Sequence, residues 1–509
     1  MPNPLYDVLF GGHADSGRVF LHLPDGESLT YGAFVALSAR LAHALTGCGL
    51  RAGDRVAMQV DKSPQALAVV AACAQAGLVF LPLNTAYTAG EVAYFVENSG
   101  AGLFICPSAS RAAMAPMAAR CGARLETLDA DGTGSLMALA DGCPAVFPTV
   151  DRGGDDLAAF LYTSGTTGRS KGAMLTQANL LSNAETLVDY WRFSADDVLL
   201  HALPIFHTHG LFVATNITLL AGGSMIFLPK FDPDAVIEAL PLATSMMGVP
   251  TFYTRLLDDP RLTRDLAAHM RLFVSGSAPL LAETHERFEA RTGHRILERY
   301  GMTETNMNTS NPYEGDRRAG TVGFPLPGID LKITDPDSGA TLPHGEIGQI
   351  EVRGPNVFKG YWQMPDKTAA ELRADGFFIT GDLGRIDGDG YVHIVGRNKD
   401  LIISGGYNIY PKEIELLLDD RPGVLESAVI GVPHPDFGET PVGLLVAEPG
   451  ATPDLDAIAA SLAETLAGFK RPRKLIVVGE LPRNTMGKVQ KNILRDRYAD
   501  LYRGTGQAE

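Results

Sequence analysis

Between Arg55 and Cys106 the sequence alternates short apolar runs with the signals that begin helices. The apolar runs are VAMQV, VFLPLN and GLFIC. Ser63-Pro64 combines a capping side chain with a residue suited to the first helical turn, and Thr88 and Glu91 have the spacing of a capping box. Because strand, helix and strand in this order form parallel strands covered by helices, the segment predicts an α/β unit.

The rest of the chain predicts further units of the same class and one of a different kind. The alternation recurs at LAAFLYT, SMIFLP and MRLFVSG, so we expect an α/β fold with more than one sheet. Near residue 320 it gives way to short apolar runs between Gly- and Pro-rich turns, which predict a β-rich unit over about 320–399. Helices predicted at Lys412–Asp420 and Asp454–Phe469, with strands between and after them, indicate a small α+β domain over 400–509. We therefore expect a large N-terminal domain over 1–399, made of stacked α/β sheets plus the β-rich unit, and a small mobile C-terminal domain.

Charge and the N-terminal segment limit the partners and the compartment. The 509 residues include 43 Lys and Arg against 59 Asp and Glu, a net charge of −16, which disfavours binding to nucleic acid or an anionic membrane. The N-terminal segment lacks the basic and apolar regions of a signal peptide. Polar residues and Gly222-Gly223 interrupt the uncharged stretch Leu211–Pro229, so we expect a buried helix, a turn and a strand there, not a membrane span. A cytoplasmic protein is the expectation.

The cysteines give no sign of a disulfide framework or a metal site. Their number is odd, and none forms a C-x-x-C pair or has metal-ligand spacing. We expect buried, reduced thiols. They are Cys48, Cys73, Cys106, Cys121 and Cys143.

The segment Tyr162–Gly172, YTSGTTGRSKG, has the composition of a phosphate-binding loop. Its glycines allow backbone N–H groups to turn toward an anion, its hydroxyls add donors, and Lys171 adds a positive charge. The spacing is not that of a Walker A loop. The segment therefore predicts a polyphosphate site, and the alternative is a mobile surface loop.

Five motifs together resemble the acyl-adenylate-forming superfamily, which includes acyl-CoA synthetases, adenylation domains of peptide synthetases and firefly luciferases. They run in the superfamily's order along the chain. The motifs are YTSGTTGRSKG, YGMTE (300–304), TGDLG (380–384), GRNKD (396–400) and PRNTMGK (482–488).

The resemblance implies that ATP activates a carboxylic acid as an adenylate before CoA attacks it. A carboxylate has no leaving group for a thiol to displace, and adenylation supplies one. The resemblance assigns magnesium to Glu304 and Thr167. It assigns the leaving pyrophosphate to a cradle formed by Thr163, Ser164, Gly165, Thr166, Thr167, Gly168 and Lys171.

Further positions are assigned to the nucleotide by the same resemblance. Tyr300 stacks on adenine, Thr303 bonds the α-phosphate, and Asp382 accepts the ribose hydroxyls with Arg397 nearby. A turn residue and a solvated surface charge are the alternatives for Asp382 and Arg397. The remaining nucleotide-binding positions are Gly276, Ser277, Ala278 and Glu298.

The C-terminal motifs imply a domain that changes position during the reaction. The resemblance makes Lys488 a catalytic cation that bridges the carboxylate and the α-phosphate. It implies that the domain then rotates about a hinge at Lys399, and that Gly405 and Gly406 allow the CoA thiol to approach. A lysine in such a loop is otherwise a solvated charge.

Arg299 indicates which acid is used. A cation next to the adenine-binding Tyr300 suggests a second, non-reacting carboxylate, although pairing with Glu298 is an alternative. His207 and Ser277 are the other expected substrate contacts, His207 also having a catalytic gating role, and His209 has no assigned role. The segments ALPIFHTHGLF, SGSAPL and ERYGMTETNMNTSNPYEGDR resemble malonyl-CoA synthetases.

This closer resemblance implies a malonate–CoA ligase that uses ATP, Mg²⁺ and CoA, and that also accepts methylmalonate. The nearest alternative is the same chemistry on another short or aromatic acid. A carrier-loading adenylation domain is disfavoured because no carrier domain follows the small domain. A non-catalytic nucleotide sensor is disfavoured because Lys488 and Glu304 are both present. The oligomeric state is left open.

Overall fold

The computed structural model describes residues 2–163, 170–404, 407–484 and 487–502. Its strands follow one another along the chain in short segments, most of them buried. They are β1 Val19–His22, β2 Ser28–Thr30, β3 Arg55–Met58, β4 Val79–Pro82, β5 Leu103–Cys106, β6 Arg124–Thr127, β7 Leu157–Thr163, β8 Lys171–Thr176, β9 Val198–His201, β10 Ser224–Phe227, β11 Ser245–Gly248, β12 Leu272–Ser275, β13 Leu297–Met302, β14 Asn306–Ser310, β15 Phe324–Pro325, β16 Asp330–Thr334, β17 Gly348–Arg353, β18 Phe378–Ile386, β19 Val392–Arg397, β20 Ile402–Ser404, β21 Tyr407–Ile409, β22 Val424–His434, β23 Gly438–Ala447 and β24 Lys474–Val478.

Helices connect most of these strands. A π-helix over His209–Ala214 continues directly into the α-helix Thr215–Ala221, and a short 3₁₀-helix covers Asn398–Asp400. The α-helices are α1 Pro4–Leu9, α2 Tyr31–Gly47, α3 Pro64–Gln75, α4 Ala89–Ser99, α5 Arg111–Arg120, α6 Ser135–Ala140, α7 Gln177–Tyr190, α8 Thr215–Ala221, α9 Pro233–Ala239, α10 Pro250–Leu257, α11 Arg264–Ala267, α12 Ala282–Thr292, α13 Pro365–Glu371, α14 Pro411–Asp419, α15 Leu455–Thr465 and α16 Lys491–Tyr498.

The chain divides into two compact units. The first contains Met1–Asp330 and Val352–Phe378, and the second contains Leu331–Glu351 and Ile379–Glu509. The predicted α/β fold class with more than one sheet is confirmed, since the described residues form sheets of six, nine, five and four strands. The boundary at about residue 400 and the mobility of the C-terminal domain stay predictions.

Two largely parallel sheets build the first unit. The six-stranded sheet has the order β6-β5-β3-β4-β7-β8, and only β8 runs antiparallel to its neighbour. The nine-stranded sheet has the order β15-β14-β13-β12-β11-β9-β10-β1-β2, with parallel pairing from β13 to β1. Apolar side chains from strands and covering helices form the cores, including Phe95 and Phe104 in the first sheet and Phe273 and Phe288 in the second.

The second unit contains the other two sheets. Strands β16-β17-β18-β19 form the predicted β-rich part, and β18 and β19 pair antiparallel with Asp382 opposite Arg397. The five-stranded sheet has β23 between β22 and β20, and β24 adds to β23 in parallel. Ile414, Leu418 and Leu445 pack in its core.

The capping signals form as the sequence predicts. The Ser63 hydroxyl accepts a hydrogen bond from the Ala66 amide at the start of α3. At α4, Thr88 and Glu91 form a complete capping box. The stretch Leu211–Pro229 also folds as expected, with α8, a turn at Gly222-Gly223 and β10. Among the described residues, no helix has the length and apolar character needed to cross a membrane.

Two predictions about local structure are wrong. The helix expected over Asp454–Phe469 ends at Thr465, because the backbone becomes extended at Leu466 and a 3₁₀ turn begins at Gly468. All five cysteines are free, but only Cys73 and Cys106 are buried, since the other three lie on partly exposed segments outside the strands.

We expect Thr88→Ala to loosen the first turn of α4. Loss of a capping side chain costs about 1 kcal/mol, so the Glu91 amide should exchange its hydrogen about fivefold faster. Thr88→Ser keeps the hydroxyl and should exchange at the wild-type rate. Hydrogen exchange measured by mass spectrometry or NMR compares the three proteins, and equal rates in all of them would contradict the capping role.

Candidate functional site

One edge of the nine-stranded sheet gathers the predicted substrate residues. Strands β9, β12 and β13 are part of its parallel series, so their carboxyl ends lie along the same edge. The turn after β9 carries His207 and leads into the π-helix, and the turn after β12 carries Gly276, Ser277 and Ala278. Segments distant in sequence thus meet at one place.

Arg299 is buried on β13 against Gly276. Its exposed fraction is 4%, and a Cβ atom added at Gly276 would lie 2.3 Å from the guanidinium carbon, so a side chain at position 276 would have to displace the guanidinium. Nε and Nη2 of Arg299 have no hydrogen-bond partner among the described residues. Burial lowers the pKa of Arg299 to about 9, which leaves it charged at neutral pH.

Glu298 does not pair with Arg299. Its carboxylate accepts hydrogen bonds from His285 Nδ1 at 3.1 Å and from the Gly320 amide at 3.2 Å. Adjacent residues of a strand point to opposite faces, which separates the two side chains. The structure therefore excludes the surface ion pair as an interpretation of Arg299, and a role of Glu298 in nucleotide binding stays a prediction.

His209 and Ser277 lie beside the guanidinium. The Ser277 hydroxyl is 3.3 Å from His209 Nδ1, and His209 Nε2 is buried with no partner among the described residues. Burial and then the Arg299 charge lower the pKa of His209 well below its usual range, so the ring is neutral. If the hydroxyl donates to Nδ1, the ring proton is on Nε2, which becomes a third unused donor near the two of Arg299.

Ser277 has a positive φ of 71°, which is uncommon for a residue other than glycine. The strained backbone holds its hydroxyl toward His209. The sequence left His209 without a role because its tautomer and partners depend on a residue 68 positions away.

His207 and Thr303 line a cavity between the two sheets of the first unit. Burial lowers the pKa of His207 to about 4, so this ring is also neutral at physiological pH. The cavity extends from the end of β7 to Thr303, which directly follows β13. Its other lining residues include Asn84, Tyr87, Tyr162 and Phe206.

Glu304 supplies a buried carboxylate at the end of β7. The hydroxyls of Thr163 and Tyr361 lie 3.4 Å and 3.1 Å from its Oε1 atom. These are the oxygen ligands that Mg²⁺ prefers. Among the described residues, no group of three or more His, Cys, Asp or Glu could hold a metal ion.

Lys171 is buried at the start of β8, opposite Thr163 in the register of the β7–β8 hairpin. Its ammonium lies 3.3 Å from Glu371 Oε2 and 4.0 Å from the centre of the Tyr361 ring. The Tyr361 hydroxyl also lies 2.7 Å from Glu371 Oε2, so this tyrosine links the Glu304 carboxylate to the lysine. No sequence motif marks Tyr361 or Glu371, and only the fold brings them to the site.

Several predicted residues lie outside the part of the chain that the structure describes. They are Ser164, Gly165, Thr166, Thr167 and Gly168 of the phosphate loop, and Gly405 and Gly406 of the C-terminal domain. Tyr300 is half-buried next to Arg299 on β13. The assigned contacts of these residues with nucleotide, metal and CoA stay predictions.

In the second unit, Asp382 and Arg397 form an ion pair across β18 and β19. Arg397 Nε lies 2.8 Å from Asp382 Oδ1, and the carboxyl side chain is 4% exposed. The pairing excludes a merely solvated charge for Arg397. Lys399 follows in the 3₁₀-helix between β19 and β20, and burial, with Arg397 nearby, lowers its pKa.

Lys488 also belongs to this unit. Two hydrogen bonds close a loop between Asn484 and Lys488. The Lys488 amide donates to the Asn484 side-chain oxygen at 2.9 Å, and the Asn484 amide donates to the Lys488 carbonyl oxygen at 2.9 Å. Burial, and then the charge of Arg397, lower the pKa of Lys488 to about 8. A lysine freely exposed to water would titrate near 10.4, so this one is in a distinct environment.

Comparisons with known proteins identify the family of this chain. The AMP-binding enzyme family matches residues 13–362, and the AMP-binding enzyme C-terminal domain matches residues 413–488. A feruloyl-CoA synthase of Amycolatopsis sp is 39% identical over 477 residues, covering 93% of this chain and 94% of the relative. A malonate–CoA ligase of Arabidopsis thaliana is 34% identical over 519 residues, covering 92% of this chain and 85% of the relative. The crystal structure of ATP-bound MatB from Rhodopseudomonas palustris is similar with a TM-score of 0.97 and 58% identity, covering 99% of this chain and 100% of that one.

We expect Arg299→Met to raise the thermal midpoint of the ligand-free protein. A buried charge with unused donors is costly, and methionine fills similar volume without charge. The rise should be about 2 °C or more. Arg317→Met is the matched control, because three carbonyls accept hydrogen bonds from that arginine and its loss should lower the midpoint. A fall with Arg299→Met equal to that of the control would show that Arg299 is satisfied within the protein.

Proposed function

Because the chain belongs to the AMP-binding enzyme family, we propose that it is a malonate–CoA ligase. It is an AMP-forming acyl-CoA ligase, and the reaction joins malonate and CoA while ATP is cleaved to AMP and pyrophosphate. The single observation that carries the choice of acid is Arg299, buried at the acyl edge of the sheet with unused donors.

The reaction has two steps. A malonate oxygen attacks the α-phosphorus of ATP and pyrophosphate leaves, which gives malonyl-adenylate. The CoA thiol then loses its proton and attacks the adenylate carbonyl, and AMP leaves with the bonding electrons. Adenylation gives the carboxyl group the leaving group that a carboxylate alone does not have, and the thiol then displaces it.

Four residues have proposed roles in nucleotide binding and adenylation. We assign the pyrophosphate to Lys171 and the loop that precedes it, and the ribose hydroxyls to Asp382, whose orientation the Arg397 ion pair holds. We assign the α-phosphate to the Thr303 hydroxyl, and the support is that Thr303 lines the same cavity as His207. Lys488 supplies a positive charge where negative charge develops during displacement.

Glu304 and Thr163 are the described residues that fit a magnesium ion. A buried carboxylate with a hydroxyl 3.4 Å away offers hard oxygen ligands, and ATP phosphates would complete the set. The ion would neutralise charge on the leaving pyrophosphate. Tyr361 orients the Glu304 carboxylate by a hydrogen bond at 3.1 Å.

Malonate fits the donors around Arg299 because it carries a second carboxylate. One carboxylate reacts, and the other accepts hydrogen bonds from the guanidinium and from His209 Nε2. An ion paired in this way offsets the desolvation of Arg299, and that gain is available only to a diacid. A methyl group at C2 leaves both carboxylates in place, so methylmalonate is a second proposed substrate.

The similarity to a feruloyl-CoA synthase makes an aromatic acid the alternative to be tested. Ferulate has one carboxylate and an aromatic body, so it would leave the Arg299 charge buried without an anion. Leaving that charge buried and unpaired costs several kcal/mol of free energy. The Arabidopsis relative, a malonate–CoA ligase, is similar over nearly the same share of this chain.

The remaining proposed roles belong to Lys399, as the hinge, and to Gly405 and Gly406, at the path of the CoA thiol. We assign the hinge to Lys399 because it lies in a three-residue helix between two strands, where a change in backbone angles disturbs few hydrogen bonds. Gly405 and Gly406 would admit the pantetheine thiol because they lack side chains.

We expect Arg299→Leu to change which acids are activated. Pyrophosphate release should be measured for malonate, methylmalonate, acetate, benzoate and ferulate. With malonate, kcat/KM should fall by about 10²–10³-fold because its second carboxylate is left unpaired, while the KM for ATP changes little. The monocarboxylates should lose little activity or gain some.

The comparison of substrates separates specificity from folding. A folding defect would lower the rates for all five acids together. The assignment fails if acetate, benzoate or ferulate is a better substrate than malonate for the wild-type enzyme, or if Arg299→Leu keeps malonate activity within a few-fold.

We expect Lys488 to act in adenylation only. Lys488→Ala should slow pyrophosphate release by about 10²-fold or more, while added malonyl-adenylate is still converted to malonyl-CoA. Since the ammonium must be charged and its pKa is about 8, kcat/KM for ATP should decline as pH rises above about 8. Lys488→Arg stays charged and should remove that decline. Equal loss of both half-reactions, or a constant kcat/KM up to pH 10, would contradict this role.

A further inference from the structure

Lys62 makes contacts that none of the catalytic steps uses. It lies between β3, a strand of the six-stranded sheet, and α3. Its side chain reaches His201 at the end of β9 in the nine-stranded sheet. Lys62 Nζ lies 2.7 Å from His201 Nδ1 and 2.8 Å from the His201 carbonyl oxygen. The ammonium also lies 4.2 Å from the centre of the Phe227 ring. A lysine anchored by three contacts in a protein interior has a defined position, unlike most lysines.

These contacts determine the tautomer of His201. The Gly210 carbonyl oxygen, 2.9 Å from Nε2, can only accept, so Nε2 of a neutral ring carries the proton and Nδ1 accepts from the lysine nitrogen. His201 is 1% exposed, and burial, followed by the Lys62 charge, lowers its pKa well below the usual range, so the ring is neutral. The proton is therefore on Nε2.

His201 Nε2 in turn donates to the carbonyl of Gly210 at 2.9 Å. The same carbonyl accepts from the Thr215 hydroxyl at 2.9 Å. Gly210 is the second residue of the π-helix, and a Cβ atom there would lie 2.1 Å from the Pro204 carbonyl oxygen. The turn from Pro204 to Gly210 is thus tightly closed, and His201 holds its last carbonyl.

This turn carries His207 and His209, which face the proposed acyl site. A π-helix is an uncommon and less stable form of helix that is found at functional sites, so its first turn depends on outside contacts. We propose that Lys62 and His201 form a positioning relay: Lys62 holds the Nε2–H tautomer of His201, which holds the Gly210 carbonyl and thereby the two histidines of the acyl site. Lys62 and His201 are positioning residues and do not touch the substrate.

The proposal rests on the proposed function only for the identity of the acid. It predicts that loss of the relay weakens acid binding and leaves ATP binding nearly unchanged, because the residues of the phosphate site belong to other segments. It also predicts that Lys62 and His201 act through one another, since the lysine affects the turn only by way of the imidazole ring.

A double-mutant cycle tests the relay on the full chain. Lys62→Met, His201→Leu and the double variant are compared with wild type for kcat and KM with malonate, at saturating ATP and CoA. Each single variant should raise KM for malonate about tenfold or more and change KM for ATP less than twofold. The double variant should be no worse than the more affected single variant, because both remove the same relay.

Two further variants separate positioning from stability. His201→Gln offers both an acceptor and a donor, so it should recover most of the activity lost in His201→Leu. Arg271→Met breaks a bidentate pair with Asp197, at 2.6 and 2.8 Å, at the opposite end of β9. It should lower the thermal midpoint and leave KM for malonate at the wild-type value.

The tautomer itself can be observed without substrate. In protein with ¹³C,¹⁵N-labelled histidine, whose 12 residues are assigned by substitution, the His201 ring should show the Nε2–H form. Lys62→Met should shift its ring signals toward a mixture of forms. This measurement holds for any folded variant, whatever acid the enzyme uses.

The outcomes divide clearly. Additive losses in the cycle, an inactive His201→Gln, or an Nδ1–H tautomer in wild type would each overturn the relay. If another acid proves the better substrate, the cycle is measured with that acid, and non-additive losses then support the relay although the malonate assignment has failed. A rise in KM for malonate with Arg271→Met as large as that with Lys62→Met would show a general effect of stability and also overturn the proposal.

Discussion

The parallel pairing of β9, β11, β12 and β13 is the constraint on which the acyl site depends. Parallel strands end at the same edge of a sheet, so the turns that follow them are neighbours however far apart they lie in sequence. The histidine turn after β9, the glycine turn after β12 and the Arg299 segment of β13 meet for this reason. A change of strand order would separate them without altering a single motif.

Within that edge, the strongest electrostatic feature is a charge without a counter-charge. Arg299 packs on Gly276 and keeps two donors unused, and His209 next to it keeps one. Folding tolerates this cost because the apolar core beside the same sheet is large, with Phe273 of β12 and the helical residues Phe288 and Tyr253 all buried in it. In the proposed reaction, the unfavourable desolvation of the ligand-free site would become a gain when an anion binds, so such a site would select for charge as well as shape.

Much of the fold followed from local signals. The capped helices at Ser63 and Thr88, the helix and strand within Leu211–Pro229 and the β-rich strands from residue 330 to 397 each depend on neighbours in sequence, and the structure has them. The end of α15 was mispredicted because a helix end without a proline or a strong cap depends on what packs against it. The exposure of three cysteines was mispredicted for the same reason, since the burial of a thiol also depends on the packing around its segment.

The sequence by itself indicated the chemistry of the family, because five motifs in the superfamily's order carry glycines, hydroxyls, a carboxylate and a lysine to which the resemblance assigns nucleotide-binding roles. It also singled out Arg299 as the residue proposed to distinguish one acid from another. Only the tertiary structure decided that Glu298 turns to His285 and leaves Arg299 unpaired, that Tyr361 and Glu371 join Glu304 to Lys171, and that Lys62 reaches His201. Each of these contacts joins different elements of the fold. Hydrogen bonds and burial between residues far apart in sequence depend on how the elements pack, and no local sequence pattern encodes that packing.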